Sequence, residues 1–114
     1  MKRLRLNQLP DNREGHFLRG IVKGKYLCKG KMGYKKAGGR THSEGVHTHE
    51  ECEVFVILQG KGHMELNGKL HPCTVGDIII VEPGEDHHLI SSDDDPIINL
   101  WLHAGESRHP DQRV

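Results

Sequence analysis

His47-Thr48-His49-Glu50-Glu51-Cys52-Glu53-Val54-Phe55-Val56-Ile57-Leu58-Gln59-Gly60 is the stretch that decides the fold. Its second half, Val54 to Leu58, is β-branched and aromatic and ends at Gln59-Gly60, the pattern of a buried strand closed by a turn. Val54, Val56 and Leu58 oppose Phe55 and Ile57, so both faces are apolar. One face is expected to line the interior of a sandwich or barrel. The other needs a cover, either a neighbouring sheet or a second subunit, and a homodimer is the commonest closed oligomer. In the first half, His47 and His49 on a strand would point to one face with Cα atoms roughly 6.6 Å apart, so two imidazoles could share one metal ion. An unbroken strand would leave Glu53 roughly 20 Å from His47 at ~3.3 Å per residue, too far for a common ion. The chain is therefore expected to turn within Glu50 to Cys52 and deliver Glu53 on the next strand, beside the pair. With 10 histidines in 114 residues, chance alone supplies about one His-x-His, so the pair gains weight only from a second constellation.

Outward from this stretch, the chain reads as short strands punctuated by glycine and proline. Residues 1 to 16 are polar and read as an arm or a short edge strand. Phe17 to Val22 and Lys25 to Tyr34 carry enough apolar residues for strands, and Gly38-Gly39 mark a loop, Ala37 to Gly45, leading to the histidines. After Gly60, His63 to Leu66 alternates, and Asn67-Gly68 favours a two-residue hairpin because both positions tolerate φ > 0. Lys69 to Cys73 is the return strand, and Ile78 to Val81 is apolar on both faces. Pro83-Gly84 suits the centre of a type II turn. Asp86 to Ile90 follows, then an acidic loop, Ser91 to Pro96. The last strand, Ile97 to His103, sets Ile98, Leu100 and Leu102 against Asn99, Trp101 and His103, and a loose tail is expected over 105 to 114. Eight or nine strands without a helical period predict one all-β domain over 1 to 114, a sandwich or barrel.

Composition narrows the function classes. Sixteen basic and sixteen acidic residues cancel, which argues against nucleic-acid or membrane-surface partners. Eight of the basic residues fall between Arg19 and Arg40 without one carboxylate, as exposed or edge strands favour. Glu82, Glu85, Asp86 and Asp93 to Asp95 form an acidic counterpart that could meet this patch across a subunit contact. Cys28, Cys52 and Cys73 are irregularly spaced with no Cys-x-x-Cys, as expected of reduced thiols in a cytoplasmic protein. The N-terminal residues lack the apolar core of a signal peptide, and no apolar run approaches membrane-spanning length.

The second constellation is Gly76-Asp77-Ile78-Ile79-Ile80-Val81-Glu82-Pro83-Gly84-Glu85-Asp86-His87: a strand, a tight turn, and a histidine opening the next strand. With the first, it resembles the two motifs of the cupin family, in the manner of the small single-domain cupins of the conserved-barrel type. His47, His49, Glu53 and Gly60 fall on the first motif at its intervals, and Gly76, Pro83, Gly84 and His87 on the second. The chain departs from the pattern at Thr41, where the family has glycine, at Glu82, where it has proline, and at Ser91, where asparagine is common. None of these is a metal ligand in the family. The resemblance implies an antiparallel jelly-roll barrel (a double-stranded β-helix) whose interior metal would be held by His47, His49, Glu53 and His87. Three imidazoles and a carboxylate suit Fe, Mn, Ni, Co, Cu or Zn and leave open positions on a six-coordinate ion.

Glu50 or Glu51 could replace Glu53 as the carboxylate, although Glu53 is favoured because it begins the apolar strand. His88, adjacent to His87, should face the opposite side, and Cys52 reads as a small buried residue. His42, His63, His71 and His103 could line a pocket or lie on the surface. The functional expectation is a metalloenzyme acting on a small polar or anionic molecule, with dioxygenation, decarboxylation, isomerisation and epimerisation all known in the family. Its acid or base would come from Glu65, His63, Tyr34 or His103. The alternatives are a non-catalytic, sugar-like ligand-binding or sensor cupin, for which no fused DNA-binding segment is expected, and a metal-free protein whose histidines only form hydrogen bonds.

Overall fold

The two-residue turn at Asn67-Gly68 sets the first hairpin. Asn67 has φ 46° and Gly68 φ 82°, the pair of positive values that a type I′ turn requires and that matches the twist of the flanking strands. It joins Lys61–Leu66 to Lys69–Thr74 with Leu66 opposite Lys69 and Lys61 opposite Thr74. The computed structural model describes residues 1–5, 26–34, 38–40 and 50–105. In chain order the strands are β1 (Lys2–Arg5), β2 (Tyr26–Tyr34), β3 (Cys52–Gln59), β4 (Lys61–Leu66), β5 (Lys69–Thr74), β6 (Asp77–Val81), β7 (His87–Ser91) and β8 (Ile98–Gly105). They form a five-stranded sheet, β1-β6-β3-β8-β2, and a three-stranded sheet, β5-β4-β7. Every pairing is antiparallel, as the jelly-roll reading predicts. No helix among the described residues is long and apolar enough to cross a membrane.

The expected edge strand is β1, which among the described residues pairs only with β6. Arg3 and Arg5 fasten it there by reaching the buried Asp77 carboxylate, at 3.4 and 2.8 Å, while the Thr74 N–H donates to Asp77 Oδ2 at 2.8 Å. Among the described strands, β2 is the opposite edge. The strand expected over Phe17 to Val22, the arm beyond Arg5, and the tail beyond Gly105 lie outside the described residues. Most of the loop expected over Ala37 to Gly45 does too, but its Gly38 to Arg40 portion is tied to the barrel. Ser91 N–H donates to Gly39 O, and Arg40 bridges to Ile90.

The two apolar faces of β3 part as the sequence required. Phe55 and Ile57 join Met64, Cys73, Ile79, Val81, Leu89 and Ile97 in the core between the sheets. Val54 and Val56 pack with Ile78 and Ile80, flanked by Leu4, Leu100 and Leu102, on the other face of the five-stranded sheet. That second cluster is buried in the single chain, so its burial calls for no second subunit. Leu58 departs from the expectation: it is 40 % exposed, at the register shift where Ile57 faces Asn99 and Gln59 faces Ile98, so that Leu58 itself has no partner residue on β8.

Cys73 sits in the core facing β4. Burial first, and the Asp77 carboxylate second, push its thiol from an ordinary value near 9 up to about 11, against smaller opposing effects of Arg3 and the Gly62 backbone. A value two pH units higher means about a hundredfold less thiolate at pH 8. Iodoacetamide at that pH is expected to label Cys73 about a hundred times more slowly in the folded protein than in urea, read by peptide mass spectrometry. The fold favours the protonated thiol, so its contribution to stability is full below pH ~9 and is lost as pH rises through about 11.

Candidate functional site

The site is built from the turn that precedes β7. The Glu85 N–H donates to Glu82 O at 3.2 Å and the Glu82 N–H to Glu85 Oε1 at 2.7 Å. Gly84 takes φ 81° at the tip, so the Pro83-Gly84 turn read from sequence is present and doubly clamped. The β4–β5 hairpin fastens the next residue: Asn67 N–H donates to Asp86 O at 2.8 Å, and Asp86 N–H to Asn67 Oδ1 at 3.0 Å. His87 therefore enters β7 from a fixed backbone. Its Nδ1 lies 2.9 Å from Glu85 O, and a carbonyl only accepts, so Nδ1 carries the proton and donates.

Glu53 meets His87 across the gap between the sheets. The chain bends at Glu50 and Glu51 and β3 starts at Cys52, so the expected turn places Glu53 at the head of the strand, facing inward above Phe55. His87 Nε2 stands 2.8 Å from Glu53 Oε1, with both residues buried. On the other side, β8 places His103 directly opposite Glu53, and His103 Nε2 is 3.0 Å from Glu53 Oε2. Each imidazole is also held by an inward aromatic ring. Phe55 meets His87 edge-on at 6.0 Å, and Trp101 meets His103 at 5.6 Å.

Glu53 and His87 fit a metal-binding role. Ligating histidines usually donate their other ring N–H to a carbonyl or carboxylate, which fixes the tautomer, and here Glu85 O takes the Nδ1 proton and directs Nε2 at Glu53. Two neighbouring ligands on a six-coordinate ion with bonds of about 2.1 Å stand about 3.0 Å apart, close to the 2.8 Å between Nε2 and Oε1. His47 and His49 lie outside the described residues. Among the described residues, no three His, Cys, Asp or Glu side chains are gathered so as to hold an ion by themselves.

The remaining candidates separate cleanly. Gly62 and Met64 of β4 are buried while His63 is exposed, so His63 and Glu65 occupy the outer face, and Glu65 pairs there with Arg40. Neither can serve as acid or base at Glu53, which corrects the expectation that included them. The Tyr34 side chain and His42 lie outside the description. His88 is buried, but its Nε2 meets Asp86 Oδ1 at 3.0 Å, on the face opposite His87 as strand parity required. Glu50 is exposed, and Glu51 Oε1 stands 3.5 Å from His103 Nδ1. Cys52 is buried, with Sγ 3.5 Å from Glu82 Oε2. His103 is thus the candidate acid or base that the structure brings to Glu53. That it shares a face with Asn99 and Trp101 was readable; that this face points inward, and its register against β3, were not.

The cupin-domain family model matches residues 36–103. The chain is a cupin. Among solved structures, a cupin protein from Bacteroides fragilis superposes on 75 % of each chain with a TM-score of 0.61 and 23 % identity, a likeness of fold. Among curated proteins, the cupin is 42 % identical over 48 residues to the oxalate-binding protein of Thermotoga maritima, covering 41 % of this chain and 40 % of that one. It is 30 % identical over 63 residues to the HTH-type transcriptional activator RhaR of Yersinia pseudotuberculosis, covering 55 % of this chain and 21 % of that one. The cupin therefore matches about a fifth to two fifths of the length of these curated relatives.

Proposed function

We propose that this cupin binds one divalent transition metal through His47, His49, Glu53 and His87, and acts on a small polar or anionic molecule there. The observation that carries the reading is His87: its Nδ1 proton is committed to Glu85 O, and its Nε2 faces a buried carboxylate at 2.8 Å. A divalent ion at that point would polarise an oxygen of the bound molecule. The chain's own residues do the rest. The Glu82–Glu85 turn and Asn67 hold His87 in place, and the Phe55 layer beneath keeps the centre at the mouth of an apolar core. Likeness to an oxalate-binding protein favours a small carboxylate as the molecule. The same likeness supports a second reading, in which the cupin binds its ligand without turning it over.

Metal analysis of untagged protein tests the proposal. Near one equivalent of Fe, Mn, Ni, Co, Cu or Zn is expected in the wild type and less than about a tenth of that in His87→Ala. His88→Ala is expected to keep its metal, because that imidazole faces Asp86. No bound metal, and no affinity for added metal, would overturn the reading. Turnover of oxalate and related acids by the loaded protein would then distinguish enzyme from binder.

A further inference from the structure

A cavity of about 350 Å³ opens at the end of the barrel remote from Glu53, with Arg3, Lys61, His63, Pro72, Cys73 and Thr74 in its lining. That volume lies within the range of small-molecule sites. The cavity is separate from the metal centre. Along β4 it stops at His63, three residues and roughly 10 Å short of Leu66, the residue that faces His87. We propose that it binds a phosphate monoester bearing a compact apolar group, with the phosphate held by Arg3 and Lys61 and the apolar group laid against Pro72.

The two cations converge on one residue. Thr74 lies directly opposite Lys61 in the β4–β5 ladder. Its N–H and the Arg3 guanidinium meet the same oxygen, Asp77 Oδ2, at 2.8 and 3.4 Å. Asp77 is held more closely by Arg5, at 2.8 Å, so two arginines share one buried carboxylate and one positive charge is left over at the rim. The carboxylates nearest the cavity do little to cancel it. Glu65, on the outer face with His63, pairs with Arg40. Asp94 meets Lys61 only at 3.9 Å, with both side chains largely exposed, and such a surface pair is worth little. Cys73 is held as a neutral thiol, its value pushed up to about 11 by burial first and Asp77 second, and so repels no anion. A carboxylate would satisfy one of the two cations. A phosphate monoester carries a charge of about −1.5 to −2 and three acceptor oxygens near pH 7, which suits the arginine fork and the lysine point charge together.

Calorimetric titration of untagged protein with phenyl phosphate tests the site, with folding of each variant checked by circular dichroism. Wild type is expected to bind phenyl phosphate at least about fivefold more tightly than inorganic phosphate, which lacks the apolar group, or phenol, which lacks the charge. Arg3→Gln is expected to weaken it about tenfold and Lys61→Gln at least about threefold. Lys61 is exposed on β4, so its variant keeps the test independent of how well β1 stays docked. Asp94→Asn, which frees Lys61, is expected to tighten binding. Lys69→Gln removes an exposed lysine at the other end of the same hairpin and is expected to change the affinity by less than about 1.5-fold. Equal losses in Lys61→Gln and Lys69→Gln would reduce the effect to net charge, and the inference fails. It fails also if His87→Ala abolishes binding, which would put the phosphate at the metal centre, or if wild type binds no phenyl phosphate at ~10 mM.

Discussion

Glu53→Gln is expected to fold normally and to lose its metal, with affinity down by more than about a hundredfold, since it removes the one anionic ligand whereas loss of an outer partner alone costs 10–100-fold. The amide has nearly the shape of the carboxylate, and the surroundings can accept it. His87 keeps Nδ1–H on Glu85 O, so a neutral His87 presents Nε2 as an acceptor to which the glutamine NH2 donates. His103 can still donate to the remaining oxygen. Stability is therefore expected to change by less than about 2 kcal/mol. Glu53→Ala differs, because it strips the partner from two imidazoles at once, His87 and His103, and each buried polar group left unpaired costs about 1–3 kcal/mol. Dialysis followed by metal analysis, with urea unfolding in parallel, reads both effects. A glutamine variant that holds metal as tightly as wild type would remove Glu53 from the ligand set.

This double role explains what the sequence could and could not announce. The bend before Cys52, the apolar strand behind Glu53, the Asn67-Gly68 hairpin and the Pro83-Gly84 turn depend on local backbone preferences, and each was legible from neighbouring residues. Glu53 and His87 were legible only as a pair of motifs, because their contact spans 34 positions and crosses from one sheet to the other. Strand parity placed His103 on the face of Trp101 but could not place that face inward, nor set it opposite Glu53, since both depend on which strands pair and in what register. Parity failed for His63 and Glu65 in the same way. They alternate with Gly62 and Met64, and only the filled core shows that Met64 has the inside. Leu58 failed for a different reason: an apolar residue at the end of an apolar run gives no sign that the ladder slips beneath it.

The largest stability effect is expected away from the histidines, at Gly60. It links β3 to β4 with φ 82°, a conformation that costs an L residue about 1–2 kcal/mol. A Cβ added there would fall on the Pro96 carbonyl and lie 2.7 Å from Asp95 O. That backbone is poorly able to yield. Asp95 O already accepts from Lys61 N–H at 3.0 Å and from Ser92 Oγ at 2.9 Å, and Ser91 Oγ holds Ile97 N–H at 2.8 Å. Gly60→Ala is therefore expected to destabilise the fold by about 3–5 kcal/mol. Gly84→Ala supplies the comparison, since its φ of 81° is nearly the same but nothing lies within 4 Å of the added Cβ; it is expected to cost about 1–2 kcal/mol. The difference between the two, measured by urea unfolding, isolates the collision from the backbone strain, and equal costs would show that the 92–96 loop does not crowd Gly60. The consequence reaches the site, because that loop delivers the chain from β7, which begins at His87, to β8, which carries His103 opposite Glu53. A loop pushed off Gly60 would move β8 along β3, so Gly60→Ala protein that still folds is expected to hold metal more weakly than Gly84→Ala, even though residue 60 lies at the far end of β3 from Glu53.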